Sequence, residues 1–181
     1  LGACDDEGDG SSTPEPTSTA PVATASPGPA PTRSGRDLSI PEIVRLLSPS
    51  VVRVQTEGAR FDILGRPVPT QGVGTGVIID GEGHIITNNH VVRLNGALAS
   101  RVVVTLSDER TVSAEIVGTD PPSDLAVLKI DATGLTPAAL GDVSELRVGE
   151  EVVAIGYALD LPGGPTVTRG VVSAKGRVIE E

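Results

Sequence analysis

His90 and Asp124 are the residues whose types and settings allow acid–base chemistry in this chain of 181 residues. An imidazole takes up and releases protons near neutral pH, and a carboxylate beside it can fix its orientation. Taken singly, each residue has a plainer use. A histidine after a strand is more often structural or on the surface, and an aspartate at a strand start is more often a turn residue. What favours chemistry is the setting of the two together. Asp124 stands immediately before Leu125-Ala126-Val127-Leu128-Lys129-Ile130, an almost wholly apolar strand, so it enters the protein beside the core. A carboxylate held there needs a partner, and histidine is the obvious one.

The stretch Gly72–Val92, GVGTGVIIDGEGHIITNNHVV, must position the histidine. Val73, Thr75, Val77 and Ile79 alternate with Gly74, Gly76, Ile78 and Asp80, which predicts a strand whose glycines let another backbone come close. Asp80-Gly81-Glu82-Gly83 predicts a turn, and His84–Thr87 the returning strand. The hairpin carries Asn88-Asn89-His90 to the end of an apolar β-layer, where a side chain is held and still reaches solvent.

Five strings occur in order: GVGTGVIID, HIITNNHVV, SDLAVLKI, LRVGEEVVAIGY and TRGVVSAKGR. Together they resemble the HtrA (DegP-like) branch of the chymotrypsin-like serine proteases, over most of residues 39–181. The resemblance implies an all-β, chymotrypsin-like antiparallel β-barrel fold, the first barrel complete and the second cut short. It implies that His90 is the catalytic base and Asp124 its orienting acid. It also implies a serine endopeptidase acting on unfolded or misfolded envelope proteins, with a homo-trimer as a family expectation. The family's G-N-S-G-G nucleophile segment would fall after Glu181. Ser107, Ser123 and Ser173 lie in no glycine-rich elbow, so this stretch alone is expected to be inactive, and its Val-rich second-barrel strands to be poorly stable or prone to aggregate. The alternatives are a non-enzymatic, surface-tethered β-barrel that binds polypeptide, and an acidic surface lipoprotein sharing only the fold.

Other chemistry finds little support in the sequence. G-V-G-T-G at 72–76 precedes a β-branched run rather than a helix, which speaks against a dinucleotide cradle. His84 and His90 are the only histidines and no H-E-x-x-H occurs, so neither metal nor cofactor is expected. Acidic residues outnumber basic ones 24 to 14, which argues against nucleic acid as a partner. With one Phe, one Tyr and no Trp, the core must be built from Val, Ile, Leu and Ala.

Leu1-Gly2-Ala3-Cys4 resembles the lipobox that ends a bacterial lipoprotein signal peptide. That resemblance implies lipidation of Cys4, the only cysteine, and a membrane anchor at the outer face of the cytoplasmic membrane. Residues 5–36, rich in Pro, Ser, Thr and Ala, are expected to be a disordered linker, and residues 37–181 the protease-like domain. Within that domain Ser39-Ile40-Pro41-Glu42 predicts a capping box and a short helix stopped at Pro49. Ser50–Gln55 predicts the first strand, Gly58–Thr70 a loop, and Arg93–Gly96 a turn or helical piece. Arg101–Leu106 and Thr111–Val117 predict a hairpin, bringing the count to about six strands, enough to close a small barrel with His90 and Asp124 at its rim. Glu150–Tyr157 is expected to be a strand, and Thr166–Val178 a strand pair or one bent strand.

Overall fold

The computed structural model describes residues 38–157 and 163–177. The chain enters through helix α1 (Ile40–Leu47). The Glu42 carboxylate accepts a hydrogen bond from the Ser39 N–H at 2.8 Å, as the capping signature requires, and a further one from the Ser39 hydroxyl at 2.6 Å. The helix gives way to a 3₁₀ turn at Ser48–Ser50, where Pro49 cannot continue it.

Three strands follow: β1 (Val51–Phe61), β2 (Pro67–Ile78) and β3 (His84–Asn88). A four-residue helix, α2 (Asn89–Val92), leads into two short strands, β4 (Arg93–Leu94) and β5 (Ala97–Leu98). Then come β6 (Arg101–Thr105), β7 (Thr111–Asp120) and β8 (Leu125–Ile130). The order β1-β2-β3-β8-β7-β6 closes into an antiparallel barrel, because β1 pairs with β2 along one edge and with β6 along the other. Closure removes the free edges that six Val- and Ile-rich strands would otherwise present.

The inside of the barrel follows from alternation. Val52, Val54, Ile78, Ile85, Val102, Val104, Leu128 and Ile130 turn inward and are buried. Each such side chain contributes about 1.5–3 kcal/mol when fully removed from water. The β2 glycines lie on this inner face, and they make room for side chains rather than for another backbone. A Cβ on Gly76 would stand 2.6 Å from a methyl of Ile85 and 3.0 Å from methyls of Val52 and Val54. A Cβ on Gly74 would collide with Val91. Val91 belongs to α2, so a bare backbone at Gly74 is what lets α2 sit down on the end of the barrel.

One segment differs from the sequence reading. Gly58–Thr70 is not a loop: β1 and β2 continue as a hairpin through the pairs Gly58↔Thr70 and Phe61↔Pro67. The Asp62 N–H bonds the Arg66 carbonyl at 2.9 Å, and Asp62 Oδ1 accepts the Leu64 and Arg66 N–H groups at 2.8 and 2.9 Å. Counting in twos from the Asp62–Arg66 bond, Pro67 and Pro69 fall where an antiparallel pair exchanges no hydrogen bonds, so their missing N–H groups leave the ladder intact. At Arg93–Gly96 the turn reading holds and the helical one does not, and the turn is that of a second hairpin. Asn95 (φ 52°) and Gly96 (φ 84°) form its two-residue turn, the Asn-Gly pair that such turns favour.

Beyond the barrel, β9 (Glu151–Gly156) pairs with β10 (Thr166–Val171) in a separate two-stranded sheet. β10 is a single strand that ends at Val171. The Tyr157 N–H donates to the Thr75 hydroxyl at 2.8 Å, which ties this sheet to β2. Among the described residues no helix is long and apolar enough to cross a bilayer.

Candidate functional site

β3 pairs with β8 in the register Asn88↔Leu125, so the end of one strand lies beside the start of the other. Asp124 follows a 3₁₀ turn at Pro121–Ser123 and takes a left-handed conformation (φ 52°, ψ 39°), which aspartate tolerates better than most residues. The turn sets it in place: the Asp124 N–H bonds the Pro121 carbonyl at 3.1 Å, and the Asn89 N–H bonds the Asp124 carbonyl at 3.0 Å.

Two residues 34 apart in sequence thereby meet. The His90 backbone N–H donates to Asp124 Oδ1 at 2.9 Å, and His90 Nδ1 lies 2.7 Å from Asp124 Oδ2. The Asn88 side-chain amide donates to the same Oδ2 at 3.0 Å. These contacts hold the Asp124 carboxyl below the usual aspartate range, the His90 N–H first, then the His90 ring and the Asn88 amide, with desolvation opposing them. The carboxylate therefore stays ionised near neutral pH and faces Nδ1 as an acceptor. With a proton on Nδ1, the lone pair of Nε2 is free to accept another. His90 is 63% exposed at its side chain and Asp124 34%. Among the described residues no serine hydroxyl, nor any other group, hydrogen-bonds to Nε2.

The sequence reading named both members of this pair. It missed Asn88, which stands two residues before His90 and keeps its side chain on Asp124 instead of capping α2. It also missed Thr75, whose carbonyl accepts the Thr87 hydroxyl at 2.7 Å, a bond that steadies β3 one residue before Asn88. Polar residues inside the T-N-N-H string were the available signal. Cys4 lies outside the described residues.

A second cluster occupies the opposite end of β3. Asp80, Glu82 and His84 bring a possible ligand atom each within 4.8 Å of one another. The Asp80 oxygens are already engaged: Oδ1 accepts the Glu82 and His84 N–H groups at 2.9 and 3.0 Å, and Oδ2 faces His84 Nδ1 at 2.6 Å. That is the bonding of a turn closed on its own aspartate.

A barrel of six antiparallel strands, with an aspartate-held histidine at its rim, defines the first half of a trypsin-like peptidase fold. The family model of the trypsin-like peptidase domain matches residues 74–180, and the chain belongs to that family. Its relatives are of the DegP/HtrA type. A probable periplasmic DegP-like serine endoprotease of Pseudomonas putida is 46% identical over 109 residues, 60% of this chain and 22% of that protein. The serine protease PepD of Mycobacterium tuberculosis is 41% identical over 147 residues, 78% of this chain and 29% of PepD. The solved structure of the HtrA-type protease AlgW with a decapeptide superposes with a TM-score of 0.65 at 33% identity, covering 78% of this chain and 47% of AlgW. The chain thus spans less than a third of the curated relatives it matches.

Proposed function

We propose that the protein is an HtrA-type serine endopeptidase of the bacterial envelope that cleaves unfolded or misfolded polypeptides, with His90 as general base and Asp124 as the residue that orients it. The observation that supports this reading is the long-range pairing of His90 Nδ1 with Asp124 Oδ2 at 2.7 Å, on a histidine whose side chain is otherwise largely exposed. We assign the nucleophilic serine to a part of the protein outside the described residues. In the first step Nε2 takes the proton from the serine hydroxyl while its oxygen attacks the scissile carbonyl. Asp124 stabilises the imidazolium that forms, and the imidazolium then gives its proton to the departing amine. Water reverses the sequence on the acyl-enzyme, with His90 again taking the proton. Asn88 keeps the carboxylate aligned throughout.

Assembly as a homo-trimer, and attachment to the membrane through a lipid on Cys4 with residues 5–36 as tether, belong to the same proposal. The relatives named as periplasmic endoproteases support the compartment. Cleavage of unfolded casein by the complete gene product, compared with its His90→Ala variant, tests the central claim. Loss of cleavage, together with fluorophosphonate labelling of a serine in the unaltered protein, is the expected result. Cleavage indifferent to the substitution would sink the assignment and leave a polypeptide-binding barrel. Incorporation of radiolabelled palmitate, abolished by Cys4→Ser, tests the anchor.

A further inference from the structure

The β1–β2 hairpin projects past the barrel and ends in three apolar side chains. Phe61 is 72% exposed, Ile63 101% and Leu64 70%. Exposure on this scale, contiguous within four residues, is uncommon on a soluble surface and marks an interaction site. Here it is built rather than loose. Asp62 Oδ1 accepts the Leu64 and Arg66 N–H groups, and Oδ2 accepts Arg66 Nε at 2.8 Å. The Gly65 N–H bonds the Asp62 carbonyl, and the Asp62 N–H bonds the Arg66 carbonyl. Four of the five N–H groups of residues 62–66 are thus satisfied within the tip.

We propose that this tip inserts into the interface of an anionic lipid bilayer. Internal satisfaction of backbone donors is what a segment needs to leave water for a medium poor in hydrogen-bond partners. A convex wedge of Phe, Ile and Leu suits lipid, which moulds itself around a protrusion. Charge agrees. Arg66 is paired with Asp62 at 2.8 Å, so Arg60 is the one uncompensated charge of residues 60–66, a local positive site on a chain whose net charge is −10. Basic side chains just behind an apolar tip sit at headgroup level and attract anionic lipid. The outer edge of β2 argues against a polypeptide strand as the occupant: Pro67 and Pro69 leave it without donors at the two positions nearest the tip, so it makes a poor template for strand addition. The proposal is independent of any lipid on Cys4.

Residues 1–181 hold no tryptophan, and Phe61→Trp places a reporter at the tip, read as the difference from the unaltered protein. The experiment uses the complete gene product, made without acylation, and vesicles of phosphatidylcholine with or without phosphatidylglycerol. With anionic vesicles the expected result is a blue-shifted emission quenched by brominated lipid. Co-sedimentation should fall about tenfold or more in an Ile63→Ser/Leu64→Ser variant of unchanged melting temperature, and clearly in Arg60→Gln. All four sites are exposed, so the fold should survive the changes. Unshifted emission, or sedimentation equal in all variants, would overturn the proposal. So would an oligomer in lipid-free buffer that the same serines dissolve without vesicle binding, which would give the tip to a second copy. Loss of casein capture without vesicle binding would give it to a polypeptide.

Discussion

His84 and His90 stand at the two ends of β3, and each meets an aspartate in nearly the same way. At one end the His84 N–H donates to Asp80 Oδ1 at 3.0 Å and its Nδ1 lies 2.6 Å from Oδ2. At the other the His90 N–H donates to Asp124 Oδ1 at 2.9 Å and its Nδ1 lies 2.7 Å from Oδ2. Local geometry alone does not separate them. The difference is in what each pair joins. Asp80 and His84 are four residues apart and close one hairpin turn. Asp124 comes from the start of β8 and meets α2 only because the barrel closes. His84 is 30% exposed, whereas His90 is 63% exposed. A His–Asp contact therefore indicates chemistry only when the fold brings it together and leaves the far nitrogen open.

The largest test of that distinction is a pair of isosteric changes in the complete protease. Asp124→Asn should lower kcat by about 10⁴-fold, since the amide no longer favours the tautomer that leaves Nε2 as acceptor. Asp80→Asn should leave kcat within about twofold, because no reacting group lies at that end. Steady-state cleavage of a casein-derived peptide reads both. Equal losses would mean that the turn pair shares in catalysis, and equal silence would remove Asp124 from the mechanism.

Glycines at the same two ends give the next contrast. Gly74→Ala forces a Cβ into Val91 and unseats α2; overpacking of this kind costs about 1–3 kcal/mol. Gly81→Ala meets nothing within 4 Å and should leave stability almost unchanged. Thermal melting compares them directly. A harmless Gly74→Ala would show that α2 does not depend on that gap.

Acid should affect both ends alike. The His84 N–H, followed by the His84 ring and the Glu82 N–H, holds Asp80 below the usual aspartate range, and the His90 N–H, ring and Asn88 amide do the same for Asp124. A carboxylate depressed in the folded state adds stability that is present above its unfolded pKa and lost as pH falls through the folded one. Melting temperatures should therefore drop as pH falls below about 4, the range of an unperturbed aspartate. Either Asp→Asn change should flatten that limb. An acid limb untouched by Asp80→Asn would mean that the two carboxylates are not equivalent even in folding.

The sequence made the barrel legible where alternation and apolar runs were clean, as in Val51–Val54, Arg101–Leu106 and Leu125–Ile130. It hid the β1–β2 hairpin because Pro67 and Pro69 read as breakers, and only the ladder phase set by Asp62 shows that they interrupt nothing. The hairpin at Asn95-Gly96 carried its own turn signal and was obscured by the shortness of its strands. His90 and Asp124 were legible through the order of several strings. Asn88 was not, since its partner lies 36 residues away and the direction of an amide depends on closure of the whole barrel. The Asp80–His84 pair was hidden differently: the turn was evident, but spacing gives no hint that the ring folds back onto the carboxylate.

The smallest expected difference between the two histidines is in reagent access, and it tests the comparison without requiring activity. Diethyl pyrocarbonate acylates a neutral imidazole nitrogen, and in both residues Nδ1 is covered by a carboxylate, so Nε2 is the site of attack. With its side chain about twice as exposed, His90 should react several-fold faster than His84, as read by mass mapping of peptides after short exposures. Asp124→Asn should change the His90 rate and leave that of His84 alone, because the two pairs share no residue. Matching rates in the unaltered protein would show that access does not separate the pairs. The distinction would then rest on chain connectivity, on the fact that Asp124 reaches His90 through barrel closure while Asp80 reaches His84 through a turn.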